Sequence, residues 1–206
     1  MQDYRTIQGT ATAQLEIKHS RFIVTAAFVE TEEAALQVLN DIRAANRTAN
    51  HNVYAYVLRQ DSRVRYSDDG EPAKTAGLPV LEAIQHAGLT DCIIVVTRYF
   101  GGTLLGTGGL VRAYTDTASA ALQASKVVTV RSCVRLQLSV EYPLYERAVL
   151  LIQAAGAALE EPQFTDRVTL TFTMPEGTER PLLPQLSELT RGQAQVDVSD
   201  PFYAPF

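Results

Sequence analysis

The sequence is poor in several residue types, and each shortage excludes a class of protein. Among 206 residues there is no Trp, and there are only two Cys, two Met and three His. Cys92 and Cys133 lie in separate apolar runs without CxxC spacing, so a disulfide-rich secreted domain is excluded. We therefore expect two reduced, buried thiols in a cytoplasmic protein. The histidines have no metal-ligand spacing, and the sequence predicts neither a metal site nor a cofactor.

Long apolar runs and excess positive charge are also missing. No segment approaches the ~18 apolar residues of a membrane-spanning helix, and residues 1–14 lack the apolar core of a signal peptide. A membrane is therefore not an expected partner. The 18 Lys and Arg residues against 23 Asp and Glu give a net charge of -5, which excludes a generally basic, polyanion-binding surface. A local cluster remains open, and Arg favours phosphate recognition.

The apolar pattern predicts an α+β protein with two domains, 1–131 and 132–206. In the first domain strands alternate with helices, and a β-like run at 127–140 crosses the boundary. The order then predicted is strand–helix–strand–strand–helix–strand, which is ferredoxin-like. Up to Val130 there are 12 basic and 13 acidic residues, against 6 and 10 afterwards. Any anion site is therefore expected in the first domain.

The segment 98–114 is the most unusual part of the chain. It holds five of the 12 glycines, namely Gly101, Gly102, Gly106, Gly108 and Gly109. A glycine-rich loop between a strand and a helix can bind an anion through backbone N–H groups and the helix dipole. The segment is not a P-loop, because no Gly-Lys-Ser/Thr occurs. It is not GxGxxG either, because Val111 stands at the third glycine position.

Two arginines flank this segment and favour an anion site. We expect Arg112 in the first turn of the following helix, where a cation is unfavourable unless an anion is bound. Arg98 lies at the other end of the segment. The alternative is that both arginines are structural and form ion pairs with Asp68, Asp69 or Glu71. The motif Asp68-Asp69-Gly70-Glu71 lacks the ligand spacing of an EF-hand, so a charged turn is predicted there.

Two further features are candidates for function. His51 begins a predicted strand and is either a general base or a structural histidine. Residues 43–66 contain five arginines and a single acid, Asp61, interleaved with three tyrosines. Arginine beside aromatic residues is typical of surfaces that bind single-stranded RNA. The alternative is a set of core aromatics flanked by solvated arginines. The arginines, which we call the arginine patch, are Arg43, Arg47, Arg59, Arg63 and Arg65, and the tyrosines are Tyr54, Tyr56 and Tyr66.

Four sequence blocks resemble the IMPACT family, and in particular its bacterial, YigZ-like branch. They are residues 98–114 (Arg-Tyr-Phe-Gly-Gly through Leu-Gly-x-Gly-Gly-Leu-x-Arg-Ala-Tyr), 18–23, 51–56 and 67–77, in the family's order. The resemblance implies a first domain of the left-handed βαβ superfamily, as in domain IV of elongation factor G. It implies a ferredoxin-like second domain resembling domain V of that factor. Eukaryotic members regulate translation, which implies a role in translation control or a stress response; the family supplies no agreed catalytic residues.

Three functions follow as hypotheses. The first is a non-catalytic regulator of translation that binds RNA, the ribosome or a translation-associated protein. The second is an enzyme or binding protein for a phosphorylated small molecule or nucleotide at the glycine-rich loop. The third is a protein-interaction adaptor whose aromatic tail, residues 200–206, docks on a partner; the alternative for the tail is docking on its own domain. The candidate anion- or nucleic-acid-binding residues are Arg98, Tyr99, Gly101, Gly102, Gly106, Gly108, Gly109, Arg112, His51, Asp69, Arg59, Arg63 and Arg65.

Overall fold

A computed structural model describes residues 3–206, which form two compact units. The first is Tyr4–Thr129, and the second is Val130–Phe206 together with Asp3. The strands of the first unit are β1 (Tyr4–Gln8), β2 (Thr10–Ile17), β3 (Ser20–Phe28), β4 (His51–Val57), β5 (Val64–Ser67) and β6 (Cys92–Tyr99). Its helices are α1 (Glu32–Ala45), α2 (Gly77–His86) and α3 (Thr107–Ala124). The long strand β7 (Lys126–Val140) runs through the boundary between the two units.

Helices cover both faces of the first unit's antiparallel sheet, whose strand order is β2-β3-β6-β4-β5. On one face, Leu39 of α1 belongs to a core cluster with Tyr56 and Val95. On the other face, α2 and α3 pack against alternate residues of the same strands, including Ile94 and Val96. The central strand β6 is therefore buried on both faces, which explains its unbroken apolar run.

Local sequence signals place several ends of these elements. Lys18 and His19 form the predicted hairpin turn between β2 and β3, and both have positive φ angles of 47° and 68°. Thr31 caps α1 as predicted, because its hydroxyl accepts the Ala34 N–H at 3.2 Å. The strand β1 was not predicted. It contributes Ile7, which is 1% exposed, to the core under α2 and α3.

The second unit contains six strands, which pair antiparallel, and two helices. Beyond β7, its strands are β8 (Ala158–Leu159), β9 (Gln163–Phe164), β10 (Val168–Pro175), β11 (Val196–Val198) and β12 (Phe202–Pro205), and its helices are α4 (Tyr145–Ala154) and α5 (Leu182–Leu189). Within this unit β7 pairs with β11 and with β10, and β10 pairs in turn with β8 and β9, which gives the order β11-β7-β10-β8. The aromatic tail forms β12, which pairs with β7 from Phe202 opposite Cys133 to Pro205 opposite Val130. The tail therefore docks on its own sheet.

Some predicted boundaries in the second unit were wrong. The strand expected at 157–164 is two strands of two residues each, β8 and β9, which pair with different parts of β10. The helix expected at 179–190 is reduced to α5, which begins after Pro181. Proline is favoured at a helix start, since it lacks the N–H that an internal position would use. Within residues 3–206, no helix is both long and apolar enough to span a membrane.

Candidate functional site

Three neighbouring strands bring Phe22, Arg98 and His51 into one row across the sheet of the first unit. Arg98 of β6 lies opposite Phe22 of β3 on one side and opposite His51 of β4 on the other. The row lies on the face that α2 and α3 cover. Beside it is a cleft of about 430 Å³, which we call the loop cleft. Its lining consists of Asn50, His51, Glu71, Pro72, Arg98, Phe100, Leu104, Leu105, Gly106, Thr107 and Leu110.

A buried ion pair forms the floor of this cleft. Arg98 is 5% exposed and Glu71 is 9% exposed. Arg98 Nη1 donates to Glu71 Oε1 at 2.6 Å, and the Tyr114 hydroxyl donates to the same oxygen at 2.7 Å. Burial, and then the neighbouring Glu71 carboxylate, raise the pKa of Tyr114 far above its ordinary value. Tyr114 is therefore a permanent donor, and Glu71 is a carboxylate with two charge-stabilising hydrogen bonds.

The guanidinium of Arg98 has more donors than the surrounding residues satisfy. Its Nη2 donates to Ser20 Oγ at 3.3 Å, and the guanidinium carbon lies 5.4 Å from the Phe22 ring centre and 5.6 Å from that of Phe100. Within the described chain, its buried Nε has no hydrogen-bond partner. A buried unpaired donor is uncommon in folded proteins, and Arg131 and Arg167 each have a buried Nε without a hydrogen-bond partner as well.

His51 presents one ring nitrogen to the cleft. Its Nδ1 lies 2.8 Å from the Asp69 carbonyl oxygen, which can only accept, so Nδ1 carries the hydrogen. Its Nε2 lies 3.9 Å from Glu71 Oε1, which is beyond hydrogen-bond distance. The ring is thus oriented by the backbone, and Nε2 is available to a ligand.

The loop 100–106 brings the backbone close to the cleft and then starts α3. A Cβ added to Gly101 would lie 2.0 Å from the His19 carbonyl oxygen, so only glycine fits there. Gly102 and Gly106 have φ angles of 84° and 73°, which favour glycine. Gly106 is the N-cap of α3 and has no side chain to cap it. The first N–H groups of α3, from Thr107 onward, therefore have no intrahelical acceptor.

The acidic turn before α2 is structural. The Asp68 carboxylate accepts the N–H groups of Lys74, Ala76 and Gly77 at 2.8–3.0 Å, which satisfies the start of α2. The Asp69 carboxylate accepts the Asn52 N–H at 2.6 Å and an Arg43 N–H at 2.8 Å. Asp69 itself has a φ of 45°. The described residues contain no cluster of three or more His, Cys, Asp or Glu side chains suited to a metal ion.

Two residues predicted for the site lie elsewhere. The expectation that Arg112 lies in the first turn of α3 was wrong, because α3 begins at Thr107 and makes Arg112 its sixth residue. Arg112 is exposed and does not line the cleft. Tyr99 points to the opposite face of the sheet from Arg98, where its hydroxyl donates to Asn46 at 2.8 Å and the Arg21 guanidinium lies 4.4 Å from its ring centre.

Ion pairs with carboxylates neutralise most of the positive charges of the arginine patch. Arg59 Nε donates to buried Asp91 at 2.6 Å, and Arg43 pairs with Asp69. Arg63 pairs with Glu32, and Arg65 Nε lies 3.7 Å from the same carboxylate. The patch residues Arg59, Arg63 and Arg65 do not line the loop cleft.

The aromatic residues of this region are mostly part of the core under α1. Tyr56 is fully buried, stacks with Tyr54 at 6.2 Å between ring centres, and donates its hydroxyl to Glu32. Tyr66 is 38% exposed. Stacking with a nucleic-acid base requires an open ring face, so Tyr56 is not available for it.

The main component that the candidate residues omitted is the buried cluster of Ser20, Glu71 and Tyr114. These residues come from β3, the turn before α2, and α3, so no local spacing connects them. One signal is present in the sequence: Glu71 is the last acid of the charged turn and is one of the three predicted ion-pair partners of Arg98.

Comparison with known proteins gives a consistent result over both units. Residues 18–122 match the family described as "Impact N-terminal domain", and residues 138–193 match "Domain of unknown function (DUF1949)". The chain is 41% identical over 184 residues to "IMPACT family member in pol 5'region" of Thermus thermophilus, covering 88% of this chain and 99% of that protein. It is 31% identical to "IMPACT family member YigZ" of Escherichia coli, covering 95% and 98%. A solved structure described as a hypothetical protein aligns with a TM-score of 0.62 at 30% identity, covering 97% and 98%.

Proposed function

Since the chain belongs to the IMPACT family, we propose that it is a non-catalytic regulator of translation that binds RNA or the ribosome. The observation that carries this proposal is the loop cleft, in which a helix N-terminus, a buried arginine and apolar side chains meet. Helix N-termini and arginine recognise phosphate, and apolar surfaces accept bases. The cleft therefore offers what one nucleotide of a single strand requires.

The arrangement of strands supports the inferred likeness to a translation factor. In the first unit, β3 and β4 flank β6 and are both antiparallel to it, so they are parallel to each other and joined through α1. In the second unit, the order β11-β7-β10-β8 is that of a ferredoxin-like sheet. We infer from these orders that the units resemble domains IV and V of elongation factor G, with a domain boundary near residue 131.

The loop cleft is a better place for RNA than the arginine patch. Arg59 and Arg63 are held by Asp91 and Glu32, so binding a phosphate there would first require an ion pair to break. The α3 N-terminus carries a partial positive charge. Its N-cap residue, Gly106, has no side chain that could neutralise this charge. A phosphate bound by the N–H groups at the start of α3 breaks no ion pair, because the Arg98–Glu71 pair stays in place.

The site geometry favours binding over catalysis. A nucleophile activated by His51 would have to lie within hydrogen-bond reach of its free nitrogen. Among the described residues, no Ser or Cys side chain forms a hydrogen bond with the His51 ring, whose hydrogen bond is to the Asp69 carbonyl. Both cysteines are buried, and burial raises the pKa of Cys92 to about 12, so its thiol is not a nucleophile at neutral pH.

The experiment is co-sedimentation of the purified protein with ribosomal particles at low and high salt. We expect salt-sensitive binding that Thr107→Glu abolishes, because a carboxylate at the exposed start of α3 repels phosphate. A negative charge at a helix N-terminus interacts favourably with the helix dipole and stabilises the helix by about 0.3–1 kcal/mol. Unfolding of the variant would therefore not explain a loss of binding. The control Thr12→Glu adds the same charge on the exposed side of β2 and should bind like wild type.

Arg65→Ala gives the matching test of the arginine patch and should leave binding unchanged. Absence of co-sedimentation at low salt would contradict the proposal. Equal binding by Thr107→Glu and wild type would contradict the assignment to the loop cleft.

A second candidate is binding of a phosphorylated small molecule or nucleotide in the same cleft. The volume of about 430 Å³ favours it, since small-ligand sites are commonly about 300–1,000 Å³. A thermal-shift panel of nucleotides and sugar phosphates tests this function, because a ligand at ~100 times its dissociation constant adds ~2.7 kcal/mol of stability. A stabilising ligand combined with no co-sedimentation would favour the second candidate over the first.

A further inference from the structure

We propose that the protein forms a dimer in which strand β2 of one copy pairs antiparallel with β2 of a second copy, along the free edge of the first unit's sheet. The inference is independent of RNA binding, because β2 does not line the loop cleft. It rests on three features of β2: the unpaired backbone groups on its outer side, the absence of the usual edge protection, and a sequence that is complementary to itself.

The outer backbone groups of β2 have no hydrogen-bond partner among residues 3–206. The sheet order is β2-β3-β6-β4-β5, so β2 pairs with β3 alone. The two-residue turn between these strands, with positive φ at both residues, makes Ile17 and Ser20 a hydrogen-bonded pair. Such pairs recur at every second residue, and Gly9 has the same phase, because its C=O accepts the Phe28 N–H at 3.0 Å. The residues whose N–H and C=O groups point away from β3 are therefore Thr10, Thr12, Gln14 and Glu16.

β2 also lacks the features that normally protect a sheet edge. Natural edge strands are commonly short, bulged, or interrupted by Pro or Lys. β2 has eight residues in unbroken register with β3, from Thr10 opposite Ala27 to Ile17 opposite Ser20, and it contains neither Pro nor Lys. The opposite edge of the same sheet is β5, which has only four residues and carries the exposed Arg65. Pairing with another chain is therefore disfavoured at β5 and open at β2.

The sequence of β2 is complementary to itself in one antiparallel register. Hydrogen bonding between two copies requires that even-numbered residues pair with each other. The register that uses all four sets Thr12 opposite Gln14 of the second copy, and Thr10 opposite Glu16. No like charges face each other there, because Glu16 is the one charged residue of β2.

The other face of β2 matches in the same register. Ala13 lies opposite Ala13 of the second copy, on the two-fold axis, and the larger Leu15 lies opposite the small Ala11. Packing and charge therefore agree on one symmetric arrangement, which favours a second copy of the chain over an unrelated strand as the occupant of this edge.

Pairing at β2 joins two five-stranded sheets into one continuous sheet. Ala13 and Ile17 pack against the core under α2 and α3, so β2 cannot slip by one residue without turning these side chains to the other face. The two-fold axis between antiparallel edge strands is perpendicular to the sheet. The faces covered by α2 and α3 in the two copies therefore lie on the same side of the dimer, and so do the two loop clefts.

Disulfide cross-linking tests the residue on the two-fold axis. The two Ala13 residues form a pair without mutual hydrogen bonds, whose Cα atoms lie about 4.5 Å apart, and a disulfide spans about 4.4–6.8 Å between Cα atoms. We expect the full chain with Ala13→Cys to form a covalent dimer under mild oxidation, seen on a non-reducing gel. Leu15→Cys is the matched control and should stay monomeric, because the two copies of residue 15 lie about 13 Å apart along the strands. Cys92 and Cys133 are buried and do not interfere.

A mixture of Ala11→Cys and Leu15→Cys chains tests the same register away from the axis. These positions lie opposite each other between the two copies, so we expect cross-linked dimers in the mixture that neither variant forms alone. The mixture decides the question even if Ala13→Cys does not fold. Cross-linking of Leu15→Cys alone as efficiently as Ala13→Cys would overturn the register, and the absence of cross-linking in every sample would overturn the dimer.

Sedimentation velocity of the wild-type protein tests the dimer without any substitution. Over concentrations from about 5 to about 500 µM, we expect the sedimentation coefficient to rise from that of a monomer to that of a dimer. A monomer at every concentration would overturn the proposal.

A pair of charge substitutions tests the register in the same measurement. Thr10→Glu should weaken dimerisation by about threefold or more, because it sets a carboxylate opposite Glu16 of the other copy at both ends of the interface. Adding Glu16→Lys should restore dimerisation. Within one chain, residues 10 and 16 lie about 20 Å apart along β2, so the restoration can arise only between two copies. Failure of the second substitution to restore dimerisation would overturn the register.

Discussion

Arg98 Nη1 lies 2.6 Å from Glu71 Oε1, and both side chains are more than nine-tenths buried. Removing one partner of a buried ion pair leaves an uncompensated charge, which commonly costs about 3–5 kcal/mol. We therefore predict that Arg98→Met lowers the free energy of unfolding by about that amount, measured by urea denaturation. The double variant Arg98→Met with Glu71→Gln should be more stable than Arg98→Met, because it removes the unpaired charge.

The control for this prediction is Arg112→Met, which changes the same residue types at an exposed position of α3. Its effect should stay within about 0.5 kcal/mol. A loss below about 1 kcal/mol in Arg98→Met would contradict the buried pair. Replacing Arg98 by Ala or Met is therefore expected to change stability, so such a variant does not isolate the contribution of Arg98 to ligand binding.

Gly101 is predicted to be intolerant of any side chain. A Cβ there would lie 2.0 Å from the His19 carbonyl oxygen, which is backbone and cannot rotate away. We expect Gly101→Ala to lower the melting temperature sharply and to shift the β2–β3 turn. Gly108→Ala is the matched control, since no atom lies within 4 Å of its added Cβ and helix propensity favours Ala over Gly by ~1 kcal/mol. A Gly101→Ala protein as stable as wild type would contradict the close approach.

Asp68 is predicted to stabilise the start of α2 through its carboxylate. Three backbone N–H groups donate to it, from Lys74, Ala76 and Gly77. Loss of a capping side chain commonly costs about 0.5–2 kcal/mol, and we expect Asp68→Ala to reach the upper end of that range in chemical denaturation. Asp68→Asn keeps one acceptor oxygen and should lose about half as much. Equal stability of Asp68→Ala and wild type would exclude the capping role.

Alkaline pH is predicted to destabilise the first unit through Tyr56. Burial, and then its hydrogen bond to Glu32, raise the pKa of Tyr56 to about 12 from an ordinary value of 10. Between pH 10 and 12 the unfolded tyrosine loses its proton while the folded one keeps it, so stability falls as pH rises. Each such group contributes at most about 1.4 kcal/mol per pH unit.

Tyr56→Phe isolates this contribution. Its free energy of unfolding should fall less steeply than that of wild type between pH 10 and 12, when both are measured by urea denaturation across the range. Cys92, with a pKa also raised to about 12, remains in both proteins and accounts for part of the shared slope. Identical slopes in wild type and Tyr56→Phe would refute the prediction.

The sequence predicted the parts of the fold that depend on neighbouring residues. The turn at Lys18 and His19, the cap at Thr31 and the doubly buried strand β6 follow from local patterns, and all are present. The sequence predicted a start of α3 that lies too far along the chain, because Gly106, Gly108 and Gly109 are typical of a loop. Of these three, only Gly106 is outside the helix. A Cβ added at Gly109 would lie 3.1 Å from Leu105 Cβ, so the close approach of Leu105 favours glycine inside the first turn.

The ion pairs could not be read from the sequence. Arg59 and Asp91 are 32 residues apart, and Arg63 and Glu32 are 31 apart. Such partners meet only once the sheet order is fixed, so five arginines in one stretch looked like an open basic surface. For the buried cluster, the sequence predicted Glu71 as one of three possible partners of Arg98. It did not connect Ser20 and Tyr114 with this pair, since they come from other elements.

The most direct test of the account is to map where single-stranded RNA contacts the protein. We predict that titration of short oligouridylate into ¹⁵N-labelled protein at low salt shifts the amide signals of residues 50–51 and 98–110, above all Thr107, Gly108 and Gly109. Thr107→Glu should abolish these shifts. Shifts centred on residues 59–65, or none at all, would contradict the assignment of the loop cleft as the RNA site.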